Sequence, residues 1–341
     1  RDFRQAFRAK LGRNFIVPAN SFDNVKGQFP IGFFIWHTEE KVTFEHTTSD
    51  VFTKNGESLG QKGIYSHDNS KGNIVSWIIT FKDDVGAKIG YQHNPKNDFQ
   101  HQSQVFFINK KEQLPTPRGW WITQNNLIPM CIFLSVRKVI EATWLNDRDQ
   151  FLYPNDGWKS DREFQNDCLV FTLFSNSNNI QSQHSTNHWI PFSEEEVGAQ
   201  DNFESHFMHD FIMGKVKEKK PQQEGTKQDL FTEQEAHTSD GNSFTPTEPL
   251  DFSQEAQAVL DAGRELWRYY HKQAGANPNA SYYDIKMHFQ GTKTTKSGKV
   301  QMNSTSEDAT YNALLADLRQ SMKLLAAHIE PKIYDYGFLK K

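Results

Sequence analysis

The stretch that most constrains the fold is FIVPANSFDNVKGQFPIGFFIWH, residues 15–37, in which two apolar runs flank a polar segment. The first run, residues 15–17, stops at Pro18, and the second, residues 29–36, is almost uninterrupted. The Asn, Asp and Gly residues between the runs supply turn chemistry, so the pattern predicts an interrupted β-hairpin. A nearly continuous apolar strand is typical of burial on both faces, as in the centre of an α/β sheet.

The residues ahead of this hairpin predict a short amphipathic helix that ends at Gly12. Its apolar positions recur at helical spacing: Phe3, Ala6, Phe7 and Leu11. The chain is therefore expected to open with a helix, a strand, a loop and a second strand.

This order of elements resembles the end of the catalytic domain in adenine-specific (N6) DNA methyltransferases of restriction–modification systems. The blocks SVRKVIEATWLNDRDQFLYPNDGW, NHWIPFSEEEV, FSQEAQAVLDAGRELWRYYHKQ and IEPKIYDYGFL are also similar to the C-terminal portion of large bacterial methylases. The resemblance thus covers most of the chain. It implies a mixed α/β fold in which residues 1–40 supply the terminal strands of a methyltransferase-type sheet.

In that family the loop between the last two strands carries an aromatic residue that stacks on the adenine flipped out of the duplex. Phe22 occupies the matching position in ANSFDNVKGQFPIGFFIW. An extruded base needs such an aromatic face because it has lost its stacking neighbours. Asn20 and Lys26 in the same loop are candidate contacts to a base edge or a phosphate. The alternative for Phe22 is that its ring plugs the base of the hairpin.

The other candidate DNA contacts are basic residues in two segments. Either segment is also explained as ordinary solvated surface, and such contacts would bind the DNA backbone whatever its sequence. They are Arg4 and Arg8 in the predicted first helix, and Lys293, Lys296 and Lys299 in the predicted loop GTKTTKSGKV.

The catalytic signature of the family, Asn/Asp-Pro-Pro-Tyr/Phe, is missing from this chain. The nearest strings are NPKN at Asn94, YPND at Tyr153 and NPNA at Asn277, and none has a second proline followed by an aromatic residue. The glycines of SLGQKG are not followed by a predicted helix, as a cofactor-binding turn would be. We therefore expect S-adenosylmethionine binding and methyl transfer to be carried by residues before Arg1, and this chain alone to be inactive.

Beyond residue 40 the pattern predicts three regions. Residues 41–214 are a mixed α+β region, with strands at 41–52, 73–81, 104–108 and 169–174 and helices at 128–145 and 202–213. Residues 215–249 are poor in large apolar side chains and predict a linker. Residues 250–341 predict a helical module with helices at 253–274, 280–289 and 306–329, the last one capped by Ser306.

Composition limits the class of protein. A chain of 341 residues has room for two domains, and a net charge of −4 excludes a DNA-binding polycation, so any DNA contact is local. Cys131 and Cys168 lie in apolar segments, which predicts buried free thiols in a reducing cytosol. No stretch approaches the ~20 apolar residues of a membrane helix, so we expect a cytoplasmic protein without a membrane partner.

Two further patterns were weighed as metal or nuclease sites. The pairs His184/His188 and His206/His209 have spacings that allow two imidazoles to share a helix face, but the first pair lies in a polar loop. Asp284, Ile285 and Lys286 match the tail of a nuclease metal site, whose partner acid is absent. The sequence therefore predicts no metal site.

The resemblance implies that the chain is the C-terminal part of a bacterial, S-adenosylmethionine-dependent DNA adenine-N6 methyltransferase, with a role in DNA holding and target recognition. Its expected partners are double-stranded DNA and either an N-terminal catalytic region or a separate methylase subunit. A non-catalytic DNA-binding or specificity subunit is the alternative, and a nuclease module is a third possibility.

Overall fold

The structure is a computed structural model that describes residues 7–66, 71–216, 244–296 and 298–341. Over these residues the fold is mixed α/β, as predicted. Arg4 and most of the predicted linker at 215–249 lie outside the described residues.

The strands are β1 (Lys10–Pro18), β2 (Pro30–His37), β3 (His46–Phe52), β4 (Ser58–Tyr65), β5 (Lys88–His93), β6 (Phe106–Ile108), β7 (Gly119–Thr123), β8 (Thr292–Thr294) and β9 (Val300–Met302). The helices are α1 (Ile74–Ile79), α2 (Leu127–Val139), α3 (Arg162–Phe174), α4 (Glu194–Val197), α5 (Phe207–Ile212), α6 (Gln254–His271), α7 (Tyr282–Gln290) and α8 (Ala309–Asp335).

The first four strands form a sheet in the order β2-β1-β3-β4, which we call the N-terminal sheet. β1 and β2 pair antiparallel, with Phe15 opposite Phe33, so the predicted hairpin is confirmed. The predicted helix is wrong at its end, because β1 already begins at Lys10 and pairs with β2 from there. Within the described residues β2 lies at the edge of the sheet, so its predicted burial on both faces is also wrong: Ile35 is 59% exposed.

Two predicted strands are helices. Residues 73–81 form α1, where the side-chain oxygen of Asn73 accepts from the backbone N–H of Val75 at 2.8 Å and caps the helix. Residues 169–174 are the last turns of α3, which is buried on every side from Phe164 onward. α3 is buried all round over these residues, so it shows the same unbroken apolar run as a buried strand. In α1 Ser76 and Ile79 are exposed, but a helix of six residues is too short to show a helical period in its sequence.

A single hydrophobic core extends from Ile74 to Leu339 in the described residues. Helices α2 and α3 pack against each other, and α6 and α8 pack against α3 and against one another. The three predicted C-terminal helices are confirmed as α6, α7 and α8, although Asp308 rather than Ser306 caps α8. None of the described residues before Ile74 belongs to this core, so the N-terminal sheet lies outside it.

Arg137 on α2 is fully buried in this core. Its guanidinium donates to four acceptors in the connection after β5: Gln102 Oε1 at 2.8 Å, Lys96 O at 2.8 Å, Asp98 O at 2.9 Å and Asn94 Oδ1 at 3.3 Å. Burial lowers the pKa of Arg137 to about 9, against the raising effect of Asp98, so the group is charged at neutral pH. The charged guanidinium fastens the connection 94–104 to α2.

Cys131 and Cys168 are free and buried, as predicted, and burial raises the pKa of both thiols. In the part of the chain that the structure describes, every helix is too short or too polar to cross a membrane.

We predict that Arg137→Met destabilises the protein by about 3–5 kcal/mol, because each buried acceptor left without a donor costs ~1–3 kcal/mol and water satisfies some of them. Urea denaturation followed by tryptophan fluorescence measures the loss. Arg148→Met is the matched control: that side chain is 61% exposed, and its loss should cost less than about 1 kcal/mol. Equal losses in the two variants would contradict a fastening role for Arg137.

Candidate nucleic-acid interface

The loop between β1 and β2, residues 19–29, carries the predicted base-stacking residue; we call it the Phe22 loop. A short 3-10 turn over Ala19–Ser21 begins it, and Asn24 takes a left-handed conformation with φ of 66°. The backbone N–H of Ala19 donates to Phe29 O at 2.9 Å and closes the loop at its base. Ala19 is fully buried there, and the backbone N–H of Phe22 donates to Ala19 O at 3.1 Å.

The ring of Phe22 is 42% exposed and lies at the end of a line of phenyl rings. Its centroid is 6.0 Å from that of Phe33, Phe33 stacks on Phe15 at 4.8 Å, and Phe15 meets Phe52 edge-on at 6.1 Å. These four rings, the aromatic row, cross one face of the N-terminal sheet from the Phe22 loop to β3. Phe22 is therefore supported by Phe33 on one side while much of its surface faces solvent.

Two polar side chains in the Phe22 loop lack partners. Asn20 Oδ1 and Ser21 Oγ are both buried and make no hydrogen bond. Buried polar atoms are nearly always paired, so these two stand to gain hydrogen bonds if the loop shifts. An amide and a hydroxyl beside an aromatic ring are groups that read base edges.

The basic candidates occupy separate positions. Lys26 is exposed in the Phe22 loop, and Arg8 is exposed just before β1 instead of on a helix. Arg13, which the sequence places near the end of the predicted helix, lies in β1 opposite Ile35. Because side chains alternate along a strand, Arg13 shares the face of Phe15 and the aromatic row.

The predicted lysine loop is a β-hairpin. Lys293 lies in β8 opposite Gln301 of β9, and Lys296 and Lys299 are exposed in and after the turn. Among the described residues no hydrogen bond or ion pair joins these lysines to the Phe22 loop. The structure therefore does not bring the two groups of candidates together.

The opposite face of the N-terminal sheet borders a cleft. One cavity of about 520 Å³ is lined by aromatic residues including Phe34, Trp36 and Tyr65, and a second of about 460 Å³ shares Phe34 and Tyr65 with it. Lys62 crosses the cleft to Asp149, with 2.6 Å between Nζ and Oδ2, and donates to Leu145 O at 2.9 Å. Burial raises the pKa of Asp149, against the lowering effect of Lys62. This ion pair ties the sheet to the body of the protein.

Strand β2 leaves its outer edge open in the described part of the sheet. Half of the backbone groups in an antiparallel edge strand point away from the neighbour and lack a strand partner. Between Pro30 and Trp36 there is no charged residue to protect that edge, while Phe33, Phe34 and Ile35 are 39%, 48% and 59% exposed. An apolar, uncharged edge of this length is typical of a strand that pairs with another segment.

The segments that come nearest to the missing catalytic and cofactor motifs have structural roles in the fold. Asn94 of NPKN is buried and its side-chain oxygen accepts from Arg137. The backbone N–H of Asn277 in NPNA donates to the hydroxyl oxygen of Tyr270 at 2.9 Å. Gly60 and Gly63 lie inside β4 instead of in a turn, so SLGQKG does not fit the glycine turn of an S-adenosylmethionine site.

Among the described residues, the patterns weighed as metal or nuclease sites do not bring three potential ligands together. His206 lies 2.7 Å from Glu194 and His188 lies 2.7 Å from Ser205, each as a single pair. Asp284 accepts from the N–H groups of Ser182 and Ser281, which makes it a structural residue at the start of α7. Over the described ranges, the group of three potential ligands within 4.8 Å of one another is Glu163, Asp167 and His328, which the sequence reasoning missed.

We predict that the purified chain self-associates as its concentration rises, through the edge of β2, and that Ile35→Lys shifts it toward monomer. A lysine on an exposed edge strand opposes pairing with a second strand. Sedimentation velocity over a concentration series measures the shift. Leu324→Lys is the control, because Leu324 is 52% exposed but lies on α8. A chain that is monomeric at every concentration would contradict the prediction.

No protein family model, no curated protein and no solved structure matches this chain. A function for the chain therefore rests on the Phe22 loop, the aromatic row and the free edge of β2, together with the sequence resemblance.

Proposed function

We propose that this chain is the DNA-holding and target-recognition part of a bacterial, S-adenosylmethionine-dependent DNA adenine-N6 methyltransferase. The observation that carries the proposal is the half-exposed ring of Phe22, supported by Phe33 in a loop whose base is closed. A ring held from behind offers its free surface to a flipped adenine, and stacking of that kind contributes ~1–3 kcal/mol per base.

DNA binding in this proposal is local, because the chain carries a net charge of −4. Lys26 lies in the same loop as Phe22 and would contact a phosphate next to the extruded base. Unpaired polar atoms at Asn20 and Ser21 would gain partners on the DNA. The remaining cations would add backbone contacts that do not depend on sequence: Arg4, Arg8, Lys293, Lys296 and Lys299.

Methyl transfer and S-adenosylmethionine binding belong, in this proposal, to a catalytic partner outside these 341 residues. The free edge of β2 would receive a strand of the partner's sheet, and the exposed apolar side chains of Phe34 and Ile35 would be covered in the assembled enzyme. The proposed site of action is the bacterial cytoplasm, where the DNA substrate lies.

A specificity subunit that docks on a separate methylase is the second candidate, and the free edge of β2 fits it equally well. The two candidates differ in whether the catalytic partner is part of the same polypeptide. An Asn-Pro-Pro-Tyr motif and a glycine-rich cofactor turn in the reading frame upstream of Arg1 would establish the first. A complete reading frame without those motifs would establish the second.

Phe22→Ala tests the proposal directly. We expect the chain to bind a duplex with an unpaired adenine more tightly than a fully paired duplex, and Phe22→Ala to lose ~1–3 kcal/mol of that binding, about 5- to 150-fold in Kd. Fluorescence anisotropy with labelled duplexes measures both. Phe22→Trp should retain binding, because the aromatic face remains.

Phe29→Ala is the matched control for that experiment. Phe29 lies at the other end of the same loop and is 38% exposed, close to the exposure of Phe22. Circular dichroism shows whether each variant is folded. Unchanged binding by Phe22→Ala, or an equal loss from Phe29→Ala, would contradict base stacking by Phe22.

We further expect Lys26→Ala to weaken binding to all duplexes alike and to reduce the slope of log Kd against log salt by about 1, as the loss of one phosphate contact predicts. Lys54→Ala is the control, because Lys54 is equally an exposed lysine of the N-terminal sheet but lies in the turn after β3. A slope that Lys26→Ala leaves unchanged would exclude this residue from the DNA contact.

A further inference from the structure

Helices α3 and α8 place three potential metal ligands around one point. Glu163 and Asp167 are four residues apart on α3 and so share a face. His328 of α8 faces both: its Nε2 lies 3.3 Å from Glu163 Oε1 and 3.6 Å from Asp167 Oδ2. All three ligand atoms lie within 4.8 Å of one another.

Asp167 is the residue of this group that has a buried carboxylate oxygen without a hydrogen-bond partner. Its side chain is only 1% exposed, and while Oδ1 accepts from the backbone N–H of Ser253 at 3.3 Å, Oδ2 has no hydrogen-bond partner. A buried carboxylate oxygen without a partner is costly, and 3.6 Å to His328 is too long for a hydrogen bond. Burial accordingly raises the pKa of Asp167 to about 6. The unpartnered oxygen points into the space between Glu163 and His328.

A fourth residue completes the surroundings of the imidazole. Glu255 on α6 has Oε2 3.8 Å from Nδ1 of His328. When Nε2 of a histidine binds a metal, Nδ1–H usually faces a carboxylate that orients the ring. His328 therefore has a carboxylate near each ring nitrogen, and Glu255 needs to move closer by less than about 1 Å to accept a hydrogen bond from Nδ1–H.

The charges at this point favour a cation of higher charge than an imidazolium. Three carboxyl groups, those of Glu163, Asp167 and Glu255, surround a single histidine, so acidic side chains outnumber basic ones at this point. The charged groups acting on Asp167 are His328 and Glu163. Glu163 is 55% exposed and His328 is 36% exposed, which gives an ion access from solvent.

We propose that Glu163, Asp167 and His328 form a binding site for a divalent transition-metal ion, with Zn²⁺ favoured over Mg²⁺, and that Glu255 orients His328. Zn²⁺ accepts imidazole nitrogen and carboxylate oxygen together, whereas Mg²⁺ prefers an all-oxygen set in octahedral geometry. A bound ion joins α3 to α8 and stabilises the packing of the C-terminal helix on the core. The site uses no residue of the Phe22 loop, so the metal-site proposal does not depend on the proposal of DNA binding.

The test uses the full chain without a histidine tag, after dialysis against a chelator. Isothermal titration with ZnCl₂ should give one ion per chain with a micromolar or tighter Kd, and Zn²⁺ should raise the Tm. Mg²⁺ at millimolar concentration should do neither. Asp167→Asn and His328→Gln should weaken Zn²⁺ binding by more than about 100-fold, and Glu255→Gln by about 10- to 100-fold.

Glu330→Gln is the matched control, because it removes one exposed carboxylate on α8 two residues from His328 and should leave Zn²⁺ affinity unchanged. Asp167→Asn keeps the shape of the side chain and removes a buried charge, so the metal-free variant should unfold at the same or a higher temperature than the parent chain. Stoichiometric Zn²⁺ binding that Asp167→Asn and His328→Gln abolish supports the site. Absence of micromolar binding, or binding that both variants retain, overturns it.

Discussion

The hydrogen bonds donated by the buried guanidinium of Arg137 hold the connection 94–104, and other segments of the structure depend on that connection. An arginine inside a core must find acceptors for its donors, and here the connection 94–104 supplies them. That connection in turn holds the next segment: Phe99 N donates to Asp149 O at 3.2 Å, and Phe151 N donates to Asn97 O at 2.9 Å. The carboxylate of Asp149 then receives Lys62 of the N-terminal sheet. The position of the Phe22 loop relative to the core thus depends on a charge that lies far from it in sequence.

Local chemistry explains which elements could be predicted. Pro18 and the turn residues after it define where β1 ends, so the hairpin was evident from the sequence. Whether β2 is central or at an edge depends on its neighbours, and an unbroken apolar run cannot report that. Residues 169–174 resemble a strand because α3 is buried there and lacks a polar face, and residues 73–81 resemble one because α1 is only six residues long. Asn73 was the available signal for α1, since it caps the helix.

The candidate sites likewise differ in how much of each could be predicted from local sequence. Phe22 is identifiable because it lies in a turn-rich segment between two apolar runs, but its support by Phe33 follows from the strand register. The cluster of Glu163, Asp167 and His328 joins residues 165 positions apart, and only the spacing of four between the acids hints at a shared face. In the β8–β9 hairpin only Val300 and Met302 alternate with a polar residue, which is too short a pattern to predict the pairing that begins at Thr292 opposite Met302.

The exclusion of the N-terminal sheet from the hydrophobic core has a consequence for how this chain tolerates change. Side chains at positions such as Ile35 make few contacts within the chain, so substitutions there leave the cooperative unfolding of the core almost untouched. Their effect falls on whatever covers the sheet. In the proposed assembly, stability and partner binding are thus encoded in separate parts of one polypeptide, and selection can alter the exposed strands of the sheet without first having to repair the interior.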